Sequence, residues 1–234
     1  MIKRLVLLPG MHGTGELFSE FMSFIPEPKH IEALCYPAGA SPSYHQLLGA
    51  VQSFVPANEL YVLLAESFST PPAILFAATN PPNLRGLILC AGFATSPIRG
   101  WRKSLASVIA PLAFRLPLPK AAVSQFLVGR RAPESLHASV RSTIFSVKPA
   151  VLAARLHQVL EVDARLALSQ VSVPILYIQA LQDRLVGEFS LAEMCAIKPR
   201  IEVARIAGPH LILQREPQQA AKVVARFVQH LASD

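Results

Sequence analysis

Six short apolar runs, at residues 5–8, 31–36, 60–64, 84–90, 174–179 and 201–206, are each bounded by glycine, proline, asparagine or serine. Runs of this length and character read as strands, and mostly apolar ones as strands buried on both sides. Residues 44–54, 73–79 and 217–231 instead carry helical patterning. The last begins at Pro217 and places Ala220, Val223, Val224, Phe227, Val228 and Leu231 on one face. Strands joined through helices become parallel neighbours, because a parallel pair needs a crossover. The expected fold is therefore α/β: a mostly parallel sheet of about six strands with helices on both faces. No internal repeat or low-complexity tract interrupts it.

One region breaks the alternation. Residues 97–168 contain helical patterning at 105–116, 120–127, 135–147 and 150–162, but no convincing strand. An all-helical insertion between two strands of a parallel sheet is expected to be a cap over the strands' C-terminal ends, where open α/β sheets bind ligands. The expected organisation is a core formed by 1–96 and 169–234, with a helical cap at 97–168. Charge divides the chain at the same boundaries. The insertion holds eleven Lys/Arg and three acids, a net of +8, so the rest carries −1 of the total +7.

At 234 residues and 52% hydrophobic content, the chain is long enough for one domain with a buried core. No uninterrupted apolar run approaches the roughly 18 residues of a membrane span. The greasiest stretch, 60–78, contains Glu66, Ser67, Ser69 and a Pro71-Pro72 pair. Lys3 and Arg4 precede only four apolar residues before Pro9, too few for a signal peptide, so a cytoplasmic protein is expected. Cys35, Cys90 and Cys195 are odd in number and lack CxxC spacing. They are expected to be reduced core thiols, neither paired nor ligating metal.

The most informative segment runs Leu60-Tyr61-Val62-Leu63-Leu64-Ala65-Glu66-Ser67-Phe68-Ser69-Thr70-Pro71. A strand enters a small-x-Ser-x-small turn and leaves as a helix, which lifts the serine hydroxyl above the sheet edge. Ala65 and Ser69 stand where glycines are usual. A serine capping an ordinary helix would give the same local pattern. A nucleophilic serine needs a base, and His210, on the Gly208-Pro209 loop after the last run, is best placed. His12 is its rival; His30, His45, His137, His157 and His230 read as surface residues. The base needs an orienting acid. Of three aspartates, Asp163 ends the insertion and Asp234 ends the chain, whereas Asp183 directly follows the fifth run. Glu188 and Glu161 are the alternatives.

An attacked carbonyl also requires backbone N–H groups facing the developing negative charge. Phe68, after the serine, is one candidate. The other should lie in Leu8-Pro9-Gly10-Met11-His12-Gly13-Thr14-Gly15, whose glycines permit a close turn. That loop lacks both the G-K-[ST] ending and the GxGxxG spacing of a phosphate cradle, so no nucleotide or other cofactor is expected.

With Ala65-Glu66-Ser67-Phe68-Ser69, Gln182-Asp183-Arg184-Leu185-Val186 and Gly208-Pro209-His210 in that order, the chain resembles the α/β-hydrolase superfamily, specifically small bacterial serine esterases with a helical cap. The resemblance implies a Ser67–Asp183–His210 triad and makes Met11 the second oxyanion donor beside Phe68. Relatives with an L-P-G-x-D-G-T-G loop carry aspartate where this chain has His12. The first strand's closeness to Met1 implies that the superfamily's outer N-terminal strands are missing.

The implied function is hydrolysis of a small-molecule carboxylic ester, of short-to-medium acyl length, through an acyl-enzyme on Ser67. Leu105, Val108, Ile109, Leu112, Phe114, Leu116 and Phe126 are candidate pocket-lining residues. Because a basic rim attracts anions, an alternative is an esterase, thioesterase or acyltransferase acting on chains linked to an acidic acyl carrier protein. A hydrolase scaffold that only binds would carry the same motifs. Nucleic acid is not expected as a partner, since no recognition motif for it is present.

Overall fold

The computed structural model describes residues 2–26, 30–37, 43–116 and 119–233. The six apolar runs form the strands β1 (Arg4–Leu8), β2 (His30–Ala33), β3 (Tyr61–Glu66), β4 (Leu84–Cys90), β5 (Ile175–Ala180) and β6 (Glu202–Ile206). They make one parallel sheet in the order β2-β1-β3-β4-β5-β6. The central strands are the most apolar because both faces are covered; all six residues of β3 are buried. The second run was expected to extend to residue 36, but β2 starts at His30 and ends at Ala33. Beyond Ala33 the chain turns under the β1 loop, where the Tyr36 N–H donates to the Gly13 carbonyl at 2.7 Å.

Strand side chains alternate between the two faces, and the core divides accordingly. Val6, Leu8, Leu63, Leu87 and Leu89 pack with the helices α2 (Tyr44–Phe54) and α3 (Thr70–Ala78). Leu5, Leu7, Val62, Leu64 and Ile88 pack on the opposite face, against α1 (Ser19–Ser23) and the C-terminal helix. The N-terminus of α2 is closed by a reciprocal capping box, Ser43 with Gln46.

Between β4 and β5 the described residues form α4 (Trp101–Ala113), α5 (Lys120–Ala122) running into a π-helical stretch at Val123–Val128, α6 (Glu134–Phe145), α7 (Pro149–Glu161) and α8 (Arg165–Gln170). The four helical patterns read from the sequence are all there, within a few residues of their expected ends. An isolated antiparallel bridge, Thr95 to Asp163, ties the two ends of the segment together. After β5 come α9 (Glu188–Ile197), α10 (Ile212–Arg215) and α11 (Pro217–Ser233). Helix α11 buries Ala220, Ala221, Val224, Phe227 and Val228 in the second core, along the stripe that its spacing predicts. No helix among the described residues is long and apolar enough to cross a membrane.

The strand order reverses between β1 and β3: the chain goes outward to β2, then crosses back over β1. In open α/β sheets the crevice at that reversal, beyond the strands' C-terminal ends, is where ligands bind. Here it lies between the loop after β1 and the turn after β3.

Candidate active site

Strand β3 delivers Ser67 at φ +50°, a left-handed backbone that a residue with a Cβ rarely adopts. Such strain persists only where the surroundings over-determine it, and here they do. The Thr70 hydroxyl donates to the Ser67 carbonyl at 2.8 Å and contacts the backbone of Phe93. Ser69, occupying a position where glycine is usual, uses its hydroxyl. It donates to the Pro9 carbonyl and accepts from the Tyr36 hydroxyl at 2.7 Å, pinning the β1 loop to the serine turn. The sequence departure is therefore a cross-link.

Loops after β3, β5 and β6 bring the three expected residues together. Ser67 Oγ lies 2.8 Å from His210 Nε2, and His210 Nδ1 lies 2.7 Å from Asp183 Oδ2. The other Asp183 oxygen accepts from the N–H groups of Leu185 and Val186, at 2.8 and 3.0 Å, which fixes the carboxylate plane. The side chains of His210 and Asp183 are only 5% and 4% exposed. Burial opposes a charged imidazole, but the charge of Asp183, its hydrogen bond and the nearby Glu66 hold the His210 pKa above the ordinary value. Such a relay can take the hydroxyl proton while Oγ attacks an electrophilic carbon. The alternative acids lie elsewhere: Glu161 pairs with Lys103 at 3.2 Å, and Glu188 opens α9.

The rival base His12 is not in this relay. It is buried, and its Nδ1 accepts from the Thr14 N–H at 3.2 Å. Burial, reinforced by the charge of Arg155, pushes its pKa down to about 4, so the ring is neutral. Two further residues carry no sequence signal of their own. Glu66, next to Ser67, is fully buried, accepts from Gln214 Nε2 at 3.4 Å, and has its pKa pushed up by burial to about 7, against the lowering influence of His210, Gln214 and the Gly10 backbone. Arg155 of α7 is also buried, and its Nη1 donates to the Met11 carbonyl at 2.7 Å. No carboxylate among the described residues pairs with it. Gly13, at φ +78°, leaves room for this guanidinium: a Cβ there would lie 2.5 Å from Arg155 Nη1. The loop carrying Met11 is thus held by Ser69 at Pro9 and from the inserted helices by Arg155.

These residues open into a cavity of about 1340 Å³ lined by Met11, His12, Ser67, Phe68 and His210, with apolar side chains of the inserted helices opposite. Both expected N–H donors, Met11 and Phe68, line it. Of the expected lining, Leu105, Ile109, Phe114, Leu116 and Phe126 are found there. Val108 and Leu112 are not: they lie on the outer face of α4, 78% and 63% exposed. Two other expectations are corrected. His137 is buried within the inserted helices, with Ser124 Oγ 3.4 Å from its Nε2. Of the three free cysteines only Cys90 is a core thiol; Cys35 is exposed and Cys195 half-buried.

No protein-family model and no curated protein matches the sequence. Solved structures do match in fold. An esterase from Exiguobacterium antarcticum superposes with a TM-score of 0.82 at 13% identity, over 97% of this chain and 92% of its own. An enol-lactonase from Burkholderia xenovorans gives 0.80 at 14% identity, over 98% and 92%. A bromoperoxidase from Bacillus anthracis gives 0.76 at 15%, over 100% and 93%. This is the α/β-hydrolase fold. On this α/β-hydrolase sheet, Ser67 sits at the strand-to-helix turn after β3, Asp183 follows β5 and His210 follows β6. The named activities of the three neighbours differ, so the fold alone does not settle the chemistry.

Proposed function

We propose that the protein is a serine hydrolase of carboxylic esters, with residues 97–168 as a cap over the site. The observation that carries this reading is the Ser67–His210–Asp183 hydrogen-bond chain opening into a large apolar cavity. His210 Nε2 takes the proton from Ser67 Oγ as Oγ bonds to the ester carbonyl carbon. The carbonyl oxygen becomes an oxyanion, received by the N–H groups of Met11 and Phe68. Collapse breaks the bond to the leaving alcohol, which departs with the proton held by His210. A water molecule then repeats the sequence on the acyl-enzyme, releasing the carboxylic acid and restoring Ser67.

The reading is tested by Ser67→Ala. Turnover of a p-nitrophenyl ester should drop to background while the fold is retained, and labelling by a fluorophosphonate should disappear. Wild-type turnover in that variant would remove the assignment. Absence of labelling in the unaltered protein would favour a scaffold that only binds.

A second reading, acyl transfer or hydrolysis on a chain held by an anionic carrier such as an acidic acyl carrier protein, is favoured by one observation. Arg99, Arg115 and Arg184 line the same cavity, and no acid among the described residues does.

A further inference from the structure

A second cleft, of about 480 Å³, lies behind the loop that carries His210. One wall is Ala207, Gly208 and Pro209, immediately before His210. The opposite wall is the π-helical stretch, with Ser124 and Gln125, and the turn after it, with Gly129. The two walls are held in register. The Leu211 N–H donates to the Leu127 carbonyl at 3.0 Å, and Gly129, at φ +83°, lies beside the Pro209 ring.

Four arginines converge on this cleft: Arg130, Arg131, Arg184 and Arg215. Its one acid, Glu216, is paired with Arg215 at 3.4 Å. Among the described residues no carboxylate is paired with Arg130, Arg131 or Arg184. Three uncompensated guanidinium groups around a concavity, beside neutral donors from Ser124, Gln125 and Gln182, create a focused positive potential. A guanidinium fork also matches the oxygens of a phosphate.

Its position indicates what would occupy it. Arg184 lines both this cleft and the main cavity, so the two adjoin at the residue following Asp183. Resting on the proposed ester chemistry, His210 returns its proton to the leaving group, which therefore departs on the His210 side. The apolar cavity suits the acyl chain, and the basic cleft lies on the other side of the histidine loop.

We propose that this arginine-lined cleft is a subsite for a phosphate group carried by the alcohol or thiol portion of the acylated substrate. Two sources share that chemistry: a soluble phosphorylated thiol, and the phosphorylated arm of a carrier protein.

The test separates binding from catalysis by using Ser67→Ala protein, which cannot turn over. Calorimetric titration with coenzyme A, and separately with a carrier protein bearing a phosphopantetheine arm, should show saturable binding of at least one. Binding of the first alone points to a soluble carrier, and of the second alone to a protein-borne one. Adding Arg130→Glu and Arg131→Glu should weaken that binding at least tenfold. Salt at 1 M, where the Debye length falls to about 3 Å, should do the same. In protein with Ser67 intact, the paired reversal should raise KM tenfold or more for an acyl-coenzyme A and leave a neutral p-nitrophenyl ester unchanged. If the reversal fails to fold, the paired change to glutamine serves, with at least a threefold loss expected. Binding of neither ligand, or binding indifferent to both pairs of changes, overturns the subsite. Binding that behaves as expected in a protein without esterase activity would instead overturn the ester chemistry and leave the subsite standing.

Discussion

Asp183 and Glu66 are both buried carboxyl groups near one imidazole, and they differ in what holds them. Asp183 accepts two backbone N–H bonds and faces His210 Nδ1 directly. Replacing it with asparagine leaves volume and fold intact but removes tautomer control and the counter-charge. kcat should fall by about 10⁴, the order seen when a triad acid is lost in this way. A loss of only a few-fold would reassign the acid. Glu66 faces Gly10 and Gln214 instead, and burial raises its pKa from 4.5 to about 7. Between those values the folded state retains a proton that the unfolded chain has released, so stability falls as pH rises through that window. The total is about 3 kcal/mol. His12, with its pKa lowered to about 4, contributes the opposite slope below pH 6.5 in both proteins, so the measure is the difference: between pH 5 and pH 8, urea unfolding should show Glu66→Gln losing about 3 kcal/mol less stability than the wild type. Because Glu66 also helps raise the His210 pKa, the same variant should move the acid limb of kcat/KM to lower pH: with a negative neighbour gone, the imidazole stays neutral further down. An unmoved stability slope would mean that Glu66 titrates alike in the folded and unfolded chain, and an unmoved limb that its charge does not reach His210.

At the scale of elements, the proposed catalytic geometry depends on a contact between α7 and the loop after β1. Arg155 reaches across to the Met11 carbonyl, and Gly13 is small so that it can. A guanidinium buried without a carboxylate contributes little to stability, because desolvation offsets its hydrogen bonds. Arg155→Met should therefore change the melting temperature little. It should nevertheless lower kcat by about tenfold or more with a smaller change in KM, since the loop bearing Met11, a proposed oxyanion donor, loses its anchor; misplacement by 1 Å can cost roughly 10²-fold. Arg155→Lys, which still reaches a carbonyl with one donor, should recover part of the loss. Steady-state kinetics of the two variants decide it: unchanged kcat in Arg155→Met would make the contact a packing feature only. Gly13→Ala should resemble Arg155→Met in kcat and add a stability loss from the positive φ.

For the whole molecule, one parallel sheet brings together residues 143 positions apart, Ser67 and His210, at the edge where the strand order reverses. The inserted helices then determine how much space lies above them. The cavity of about 1340 Å³ is larger than the roughly 300–1,000 Å³ of ordinary small-molecule sites. On volume alone the acyl optimum should fall at the upper end of the short-to-medium range. A series of p-nitrophenyl esters from acetate to palmitate should peak at medium chains, with Leu105→Trp or Ile109→Trp moving the peak to shorter ones. A peak on palmitate would make the site lipase-like, and an unmoved peak would place the acyl chain elsewhere.

The strands and their buried faces were legible along the chain because apolar run length, turn residues and helical spacing are local properties. That Ser67, Asp183 and His210 come together was legible for a related reason: each follows a strand, and parallel topology sends every strand's C-terminal end to the same edge. What could not be read were contacts between segments distant in sequence. Nothing local marks Arg155 as buried, since its neighbours in α7 resemble those of any amphipathic helix. Nor does anything reveal that Ser69 stands in for glycine in order to bond Pro9 and Tyr36. Val108 and Leu112 looked like lining, and His137 like surface, because helical spacing shows that a face exists but not which way it turns. The arginines show the same division. Composition located the positive charge in the insertion, but only the packing of its turn against the His210 loop drew Arg130 and Arg131 into one cleft with Arg184 and Arg215, because charge is a property of residues and a binding site is a property of their arrangement in space.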